Sequence, residues 1–330
     1  MFSGNRRAGT RFNPLKMGKC ALKPVLMRAA EQAFEPLFFQ APGARLRAAR
    51  FEADPAVSFR GLCVLLNGQT EFIEKYFEVI DELRRRGFAV ATMDWRGQGG
   101  SDRLLTDDSR KSYVQDFAEY DADLAAFMRE VVAPMGDARP VALAHSMGAQ
   151  NLLRALARNP GAFAKAVLTA PMVAVSFRGN AVWLVRLVTA LQNRIGRGPA
   201  WVWGMEGRDP HRMSFAQQMV TSDPVRFERT QRILRDHPNL RLAGATWAWL
   251  AAAMRSMAWL KTEACRITTP LLVIGAGADR IVLTPETRAF AARMPNARYV
   301  EIAAAGHEML MERDAFRAQW WAAFDAFMNS

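Results

Sequence analysis

Val141-Ala142-Leu143-Ala144-His145-Ser146-Met147-Gly148 carries an apolar run into a serine set between small residues, and Asn151-Leu152-Leu153-Arg154-Ala155-Leu156 behind it keeps helical spacing. The serine therefore stands on a strand-to-helix turn. A bend of this kind projects the hydroxyl above the sheet, and small neighbours let strand and helix backbones pass closely. Ser146 is the candidate nucleophile. Taken alone, the pentapeptide Ala144 to Gly148 reads equally well as an ordinary helix N-cap.

Working outward, apolar strand runs alternate with helical patterns. Phe38-Phe39 and Leu46 to Phe51, divided by Ala-Pro-Gly, predict a hairpin, and Gly61 to Leu66 a fully buried strand. A helix is expected from about Ile73 to Arg86, with Ile73, Tyr76, Phe77, Ile80 and Leu83 on one stripe, then a strand over Ala89 to Met93. Further helices are expected over Tyr113 to Val132 and from Ser146, and further strands over Val141 to Ala144 and Ala166 to Leu168. After Ala170-Pro171 the alternation stops. It resumes with Leu271 to Ile274, a helix near Pro285 to Met294, the strand Tyr299 to Ile302 and a closing helix around Ala315 to Phe327. This order predicts an α/β fold, a mostly parallel sheet with crossover helices. The divisions are an N-terminal arm over 1–30, a first core part over 31–171, a helical Trp- and Arg-rich lid inserted over 172–259, and a second core part over 260–330.

A serine hydroxyl needs a neighbouring imidazole to take its proton, and the imidazole needs a carboxylate to orient it. His307, in Gly306-His307-Glu308, emerges after the strand ending at Ile302. Asp279 emerges in the same way after Leu271 to Ile274. Loops at the carboxyl ends of parallel strands converge above one sheet edge, so Ser146, Asp279 and His307 are expected to meet there. Their order, Ser then Asp then His, is that of the α/β-hydrolase fold. His145 is set aside because neighbours on a tight turn project apart, and His211 and His237, beside prolines, read as surface residues. Asp94 belongs to Asp94-Trp95-Arg96-Gly97-Gln98-Gly99-Gly100-Ser101, read as a structured turn. The backbone N–H groups of Met147 and Gln69 are the expected oxyanion donors. Gly68, which allows close backbone approach, fits an ordinary strand-to-helix turn as well.

Composition narrows the remaining classes. Half of the 330 residues are apolar, enough for a substantial core, and no apolar run reaches bilayer-spanning length. Cys20, Cys63 and Cys265 are widely spaced, and the four histidines show no HExxH-type pairing. Neither a disulfide framework nor a metal site nor a cofactor is expected. The net charge of +12 is concentrated: residues 1–30 and 172–259 each carry +7. Such patches attract phosphate-bearing partners, although solvated arginine on helix surfaces explains them too. No nucleic-acid signature accompanies the charge, so no nucleic-acid partner is expected. The expectation is a cytoplasmic protein, free or peripheral at an anionic membrane surface.

Asn67-Gly68-Gln69-Thr70-Glu71, the Asp94 to Ser101 segment, Ala144 to Gly148, Asp279 and Gly306-His307 resemble the bacterial lysophospholipase and monoacylglycerol lipase branch of the α/β hydrolases over roughly residues 36 to 328. Two positions depart from that pattern: Asn67 stands where a His usually precedes the Gly, and Ala144 where the elbow usually begins with Gly. The resemblance implies hydrolysis of carboxylic esters of monoacyl lipids, with a tryptophan-rich lid to bury an acyl chain and arginines to meet a phosphate headgroup. Trp and Leu at helical spacing also make a lid's own core. The alternatives are an esterase or aminopeptidase on small soluble substrates, and a hydrolase-fold binding protein without turnover.

Overall fold

A computed structural model describes residues 29–136, 138–177 and 179–330. The arm expected over 1–30 therefore lies almost wholly outside the described residues. In chain order the elements are α1 (Ala29–Gln32), β1 (Leu37–Ala41), β2 (Ala44–Phe51), β3 (Gly61–Leu66), α2 (Phe77–Arg84), β4 (Phe88–Met93) and β5 (Lys111–Ser112). Then come α3 (Ala118–Phe127), β6 (Val141–His145), α4 (Ser146–Arg158), β7 (Ala166–Thr169), α5 (Val182–Arg194), α6 (Pro224–Asp236) and β8 (Gly244–Ala245). The chain closes with α7 (Trp247–Glu263), β9 (Leu271–Ala276), α8 (Thr284–Ala291), β10 (Ala297–Ile302) and α9 (Asp314–Met328).

Among the described residues, eight strands form one sheet in the order β1-β2-β4-β3-β6-β7-β9-β10. Only the β1–β2 and β2–β4 pairs are antiparallel. The uninterrupted apolar runs of β3, β4, β6, β7 and β9 are buried on both faces, as parallel strands covered by helices must be. Alternation divides the core: Val64 and Leu66 pack with Leu124, Leu152 and Met254 on one face. Cys63 and Leu65 pack with Ile80, Leu83 and Trp320 on the other. Burial pushes the Cys63 thiol up to about 12, so this residue acts as a small apolar side chain.

Two differences from the sequence expectation have local causes. The stripe from Ile73 to Leu83 is buried throughout, but its first turn, Ile73–Tyr76, is a 3₁₀ turn leading into α2. The helix expected from Tyr113 starts at Ala118, because Glu119 receives the Gln115 and Asp116 N–H groups while Asp116 receives that of Ala118. This reciprocal capping fixes the helix start, and the preceding Lys111–Ser112 pairs with Gly244–Ala245.

Between β7 and β9 the chain is mainly helical. Asp223 caps α6 by accepting the Val225 and Arg226 N–H groups, with Pro224 at the first helical position. Arg226 ties this helix to the core through Glu78. Helix α7, which runs through position 259, packs on α4, where Arg154 donates to Ser256 Oγ at 3.0 Å, and reaches α3, where the Tyr120 hydroxyl accepts the Trp249 indole N–H at 3.2 Å. Trp247 and Trp249 are buried, whereas Trp183 and Trp203 stand in the open.

Candidate active site

Strand β6 ends at His145 and α4 begins at once at Ser146, whose φ of +50° is the left-handed conformation of a sharp turn. Gly148 makes the close crossing possible. A Cβ there would sit 2.4 Å from the Asn67 carbonyl oxygen and 2.6 Å from that of Leu66.

His307 Nε2 lies 3.0 Å from Ser146 Oγ, and its Nδ1 lies 2.7 Å from Asp279 Oδ2. The other carboxylate oxygen, Asp279 Oδ1, accepts the Ile281 and Val282 N–H groups at 2.8 and 2.9 Å, which fixes the plane of the carboxylate. Burial alone would raise the Asp279 pKa. The His307 hydrogen bond and charge, with the two amides, outweigh it and hold the carboxyl below its ordinary range. Ser146, His307 and the side chain of Asp279 are thus buried in one hydrogen-bonded sequence at the carboxyl ends of β6, β9 and β10.

His145 takes no part in that sequence. Its Nδ1 lies 3.3 Å from the Thr169 carbonyl, and its ring packs against that of His307 with centroids 4.9 Å apart. Burial, opposed in part by the charge of Glu71, lowers it to about 4, so it is a neutral packing partner. His211 pairs with Asp209 and His237 is exposed, both between β7 and β9.

The loop after β3 passes directly over the serine, for a Cβ on Gly68 would fall 3.2 Å from Ser146 Cβ. Its shape is heavily determined. Asn67 donates its side-chain amide to the Met93 carbonyl, Trp95 Nε1 donates to the Asn67 carbonyl at 2.9 Å, and Gln98 Nε2 donates to the Gly68 carbonyl at 2.8 Å. Thr70 follows at φ +63°. Gly68 N–H is taken by Glu71 Oε2, so Gln69 carries the next amide along the loop. Met147 N–H lies in the first turn of α4, where helix geometry leaves an amide without an intrahelical acceptor. The Asp94 turn supports this loop: the carboxylate accepts the Ile73 and Gly100 N–H groups and the Arg47 guanidinium.

Sequence reasoning missed what lies beneath. Lys75 is buried, with Nζ 2.8 Å from Glu71 Oε1 and 2.6 Å from Glu308 Oε1. The available signals were the four-residue spacing of Glu71 and Lys75 and the position of Glu308 next to His307.

A parallel sheet with a serine at the β6–α4 bend, hydrogen-bonded through a histidine to a carboxylate, defines the α/β-hydrolase class. More narrowly, the chain belongs to the serine aminopeptidase S33 family, whose sequence profile matches residues 58–314. It is 31% identical over 273 residues to "Lysophospholipase L2" of Escherichia coli K12, covering 81% of this chain and 79% of that one. It is 28% identical over 277 residues to "Probable lysophospholipase L2" of Haemophilus influenzae, covering 83% and 86%. A crystal structure of Paleococcus ferrophilus monoacylglycerol lipase has the same fold, with a TM-score of 0.65 at 21% identity over 86% of this chain and 98% of that one.

Proposed function

We propose that this protein is a serine hydrolase that cleaves the carboxylic ester of a monoacyl lipid, a lysophospholipid or a monoacylglycerol, through an acyl-serine intermediate. The carrying observation is the hydrogen-bonded sequence Ser146–His307–Asp279, and the lysophospholipase L2 relatives support the substrate class. Ser146 Oγ attacks the ester carbonyl while His307 Nε2 takes its proton. Asp279 holds the Nδ1–H and stabilises the imidazolium. The Gln69 and Met147 N–H groups receive the oxyanion. Collapse of this intermediate expels the alcohol, protonated by His307. Water activated by the same imidazole then attacks the acyl-serine, and the free fatty acid leaves.

Residues 172–259 are the lid in this reading. Met172 N–H donates to the Ser146 carbonyl at 3.1 Å. The residues that follow line an apolar groove of about 210 Å³ with Val173, Val175, Phe177, Met254 and Met257 among its walls and Arg186 at its side. Such walls favour an acyl chain, each buried CH₂ contributing about 0.8 kcal/mol. An aminopeptidase would need a carboxylate for its substrate's ammonium, but the groove's Glu286 is paired with Lys261 at 2.9 Å.

We also infer peripheral contact with an anionic membrane surface through α5. Trp183, Leu187 and Leu191 recur every four residues and are 68%, 60% and 54% exposed. Arg186, Arg194 and Arg197 accompany them, and no acidic residue occurs from 172 to 205. An exposed apolar stripe beside cations suits the interface of an anionic bilayer. Among the described residues no helix is long and apolar enough to cross a membrane.

Rapid quenching of the protein with a monoacyl lipid, followed by peptide mass spectrometry, tests the chemistry. An acyl adduct on the Ser146 peptide is expected; turnover with an adduct elsewhere, or with none under single-turnover conditions, contradicts it.

A further inference from the structure

The buried Lys75 ammonium joins two loops that the chemistry uses separately. On one side, Glu71 accepts the Lys75 ammonium at 2.8 Å, the Tyr76 hydroxyl at 2.6 Å and the Gly68 N–H. Gly68 is the immediate neighbour of Gln69. On the other side, Glu308 lies 2.6 Å from Lys75 and is the immediate neighbour of His307. The Glu308 backbone is held in turn, its N–H donating to the Val220 carbonyl at 2.8 Å.

We infer that Lys75 is a positioning residue of the reaction: its ammonium, bridging Glu71 and Glu308, sets the distance between the loop that presents the Gln69 N–H and the loop that presents the His307 imidazole. This rests on the roles given above to Ser146, His307 and Gln69.

The physical argument is one of geometry before stability. Burying the Lys75 ammonium and the Glu71 carboxylate, and largely burying that of Glu308, carries a desolvation cost, and such a cluster contributes little net stability over an apolar one of equal volume. It does restrict geometry, since removing the ammonium from between the buried Glu71 and the largely buried Glu308 leaves two facing carboxylates without their common cation, which is more costly than keeping the bridge. Burial would depress Lys75, but the facing charges of Glu308 and Glu71 outweigh this and raise it to about 12, so the ammonium stays charged across the working range. Both the oxyanion contact and the proton transfer tighten in the transition state. An error of about 1 Å between the two loops therefore lowers kcat more than it raises KM.

The experiment uses the full chain and a short soluble ester, with Lys75→Met, Lys75→Arg, Glu308→Gln and the double variant Lys75→Met/Glu308→Gln. Near-UV circular dichroism and Tm are recorded for each. Expected are a fall in kcat of about thirtyfold or more for Lys75→Met with KM within about threefold, and recovery of most of that loss in Lys75→Arg. The double variant should be no slower than Lys75→Met, because Glu308 acts through the ammonium. Wild-type kcat in folded Lys75→Met, a change confined to KM or Tm, or multiplicative losses in the double variant would overturn the inference. Should Lys75→Met lack a native spectrum, Glu308→Gln decides: a roughly tenfold lower kcat at unchanged KM supports the bridge, and wild-type kcat refutes it. Ser146→Ala runs in parallel. Turnover surviving in that variant removes the underlying reading, whereas an inactive Ser146→Ala beside a fully active Lys75→Met removes only the role of Lys75.

Discussion

His307 Nε2 lies 3.0 Å from Ser146 Oγ although 161 residues separate them in sequence. The contact exists because β6 and β10 end at the same edge of one parallel sheet, so that a bend after one strand meets a loop after the other. Nothing local in either segment supplies a partner for its polar group.

Asp279 should control that contact by fixing which imidazole nitrogen carries the proton. Asp279→Asn is expected to lower kcat by on the order of 10⁴-fold with little change in KM. Steady-state hydrolysis of a soluble ester measures it. Wild-type kcat in the variant would mean that another carboxylate orients the ring.

Gly148→Ala tests the backbone crossing. The added methyl would meet two main-chain oxygens at the end of β3, which cannot rotate away. A loss of roughly 1–3 kcal/mol in stability is expected, with reduced kcat as the Gln69 loop is displaced. Thermal unfolding and kinetics report the two effects, and an unchanged Tm would show that α4 can simply slide outward.

His145 should leave a mark on acid stability. Its pKa falls from 6.5 when unfolded to about 4 in the fold. The unfolded chain therefore binds more protons between these values, and stability is complete above pH 6.5 and lost as pH falls towards 4. The loss amounts to about 3 kcal/mol. Urea midpoints of wild type and His145→Gln, compared from pH 7 to pH 4, should diverge in slope over that window; parallel curves would contradict the buried neutral imidazole.

Membrane contact through α5 is open to direct measurement. Trp183→Ser and Leu187→Ser each remove an exposed apolar side chain, so partition onto phosphatidylglycerol vesicles should weaken about tenfold or more while hydrolysis of a soluble ester is kept. Raising ionic strength should weaken wild-type binding as well. If only deletion of residues 1–30 reduces binding, the contact belongs to the basic arm.

What the sequence disclosed was whatever one segment specifies by itself. Val141 to Leu143 before Ser146, Leu271 to Ile274 before Asp279 and Tyr299 to Ile302 before His307 are each complete signals, a short apolar strand followed by a loop. Together they were enough to anticipate the hydrogen-bonded sequence. Partnerships between distant segments were illegible. Lys111–Ser112 has no periodicity, and its pairing with Gly244–Ala245 depends on where the helices between β7 and β9 settle. Lys75 stands four residues after Glu71, the spacing of an ordinary exposed helix pair, and only Glu308 from the far end of the chain makes it a buried bridge. Trp183 and Trp249 are alike in composition and opposite in burial, because α7 lies on α4 while, among the described residues, the outer stripe of α5 stays exposed.

The central claim, serine-dependent hydrolysis of a monoacyl lipid, is tested most directly by fatty-acid release from lysophosphatidylcholine, monoacylglycerol and a short soluble ester, measured by mass spectrometry for wild type and Ser146→Ala. The expected result is preferential release from one of the two monoacyl lipids and loss of several orders of magnitude in the variant. Equal release by the folded Ser146→Ala protein, or wild-type release from the short ester alone, would contradict it.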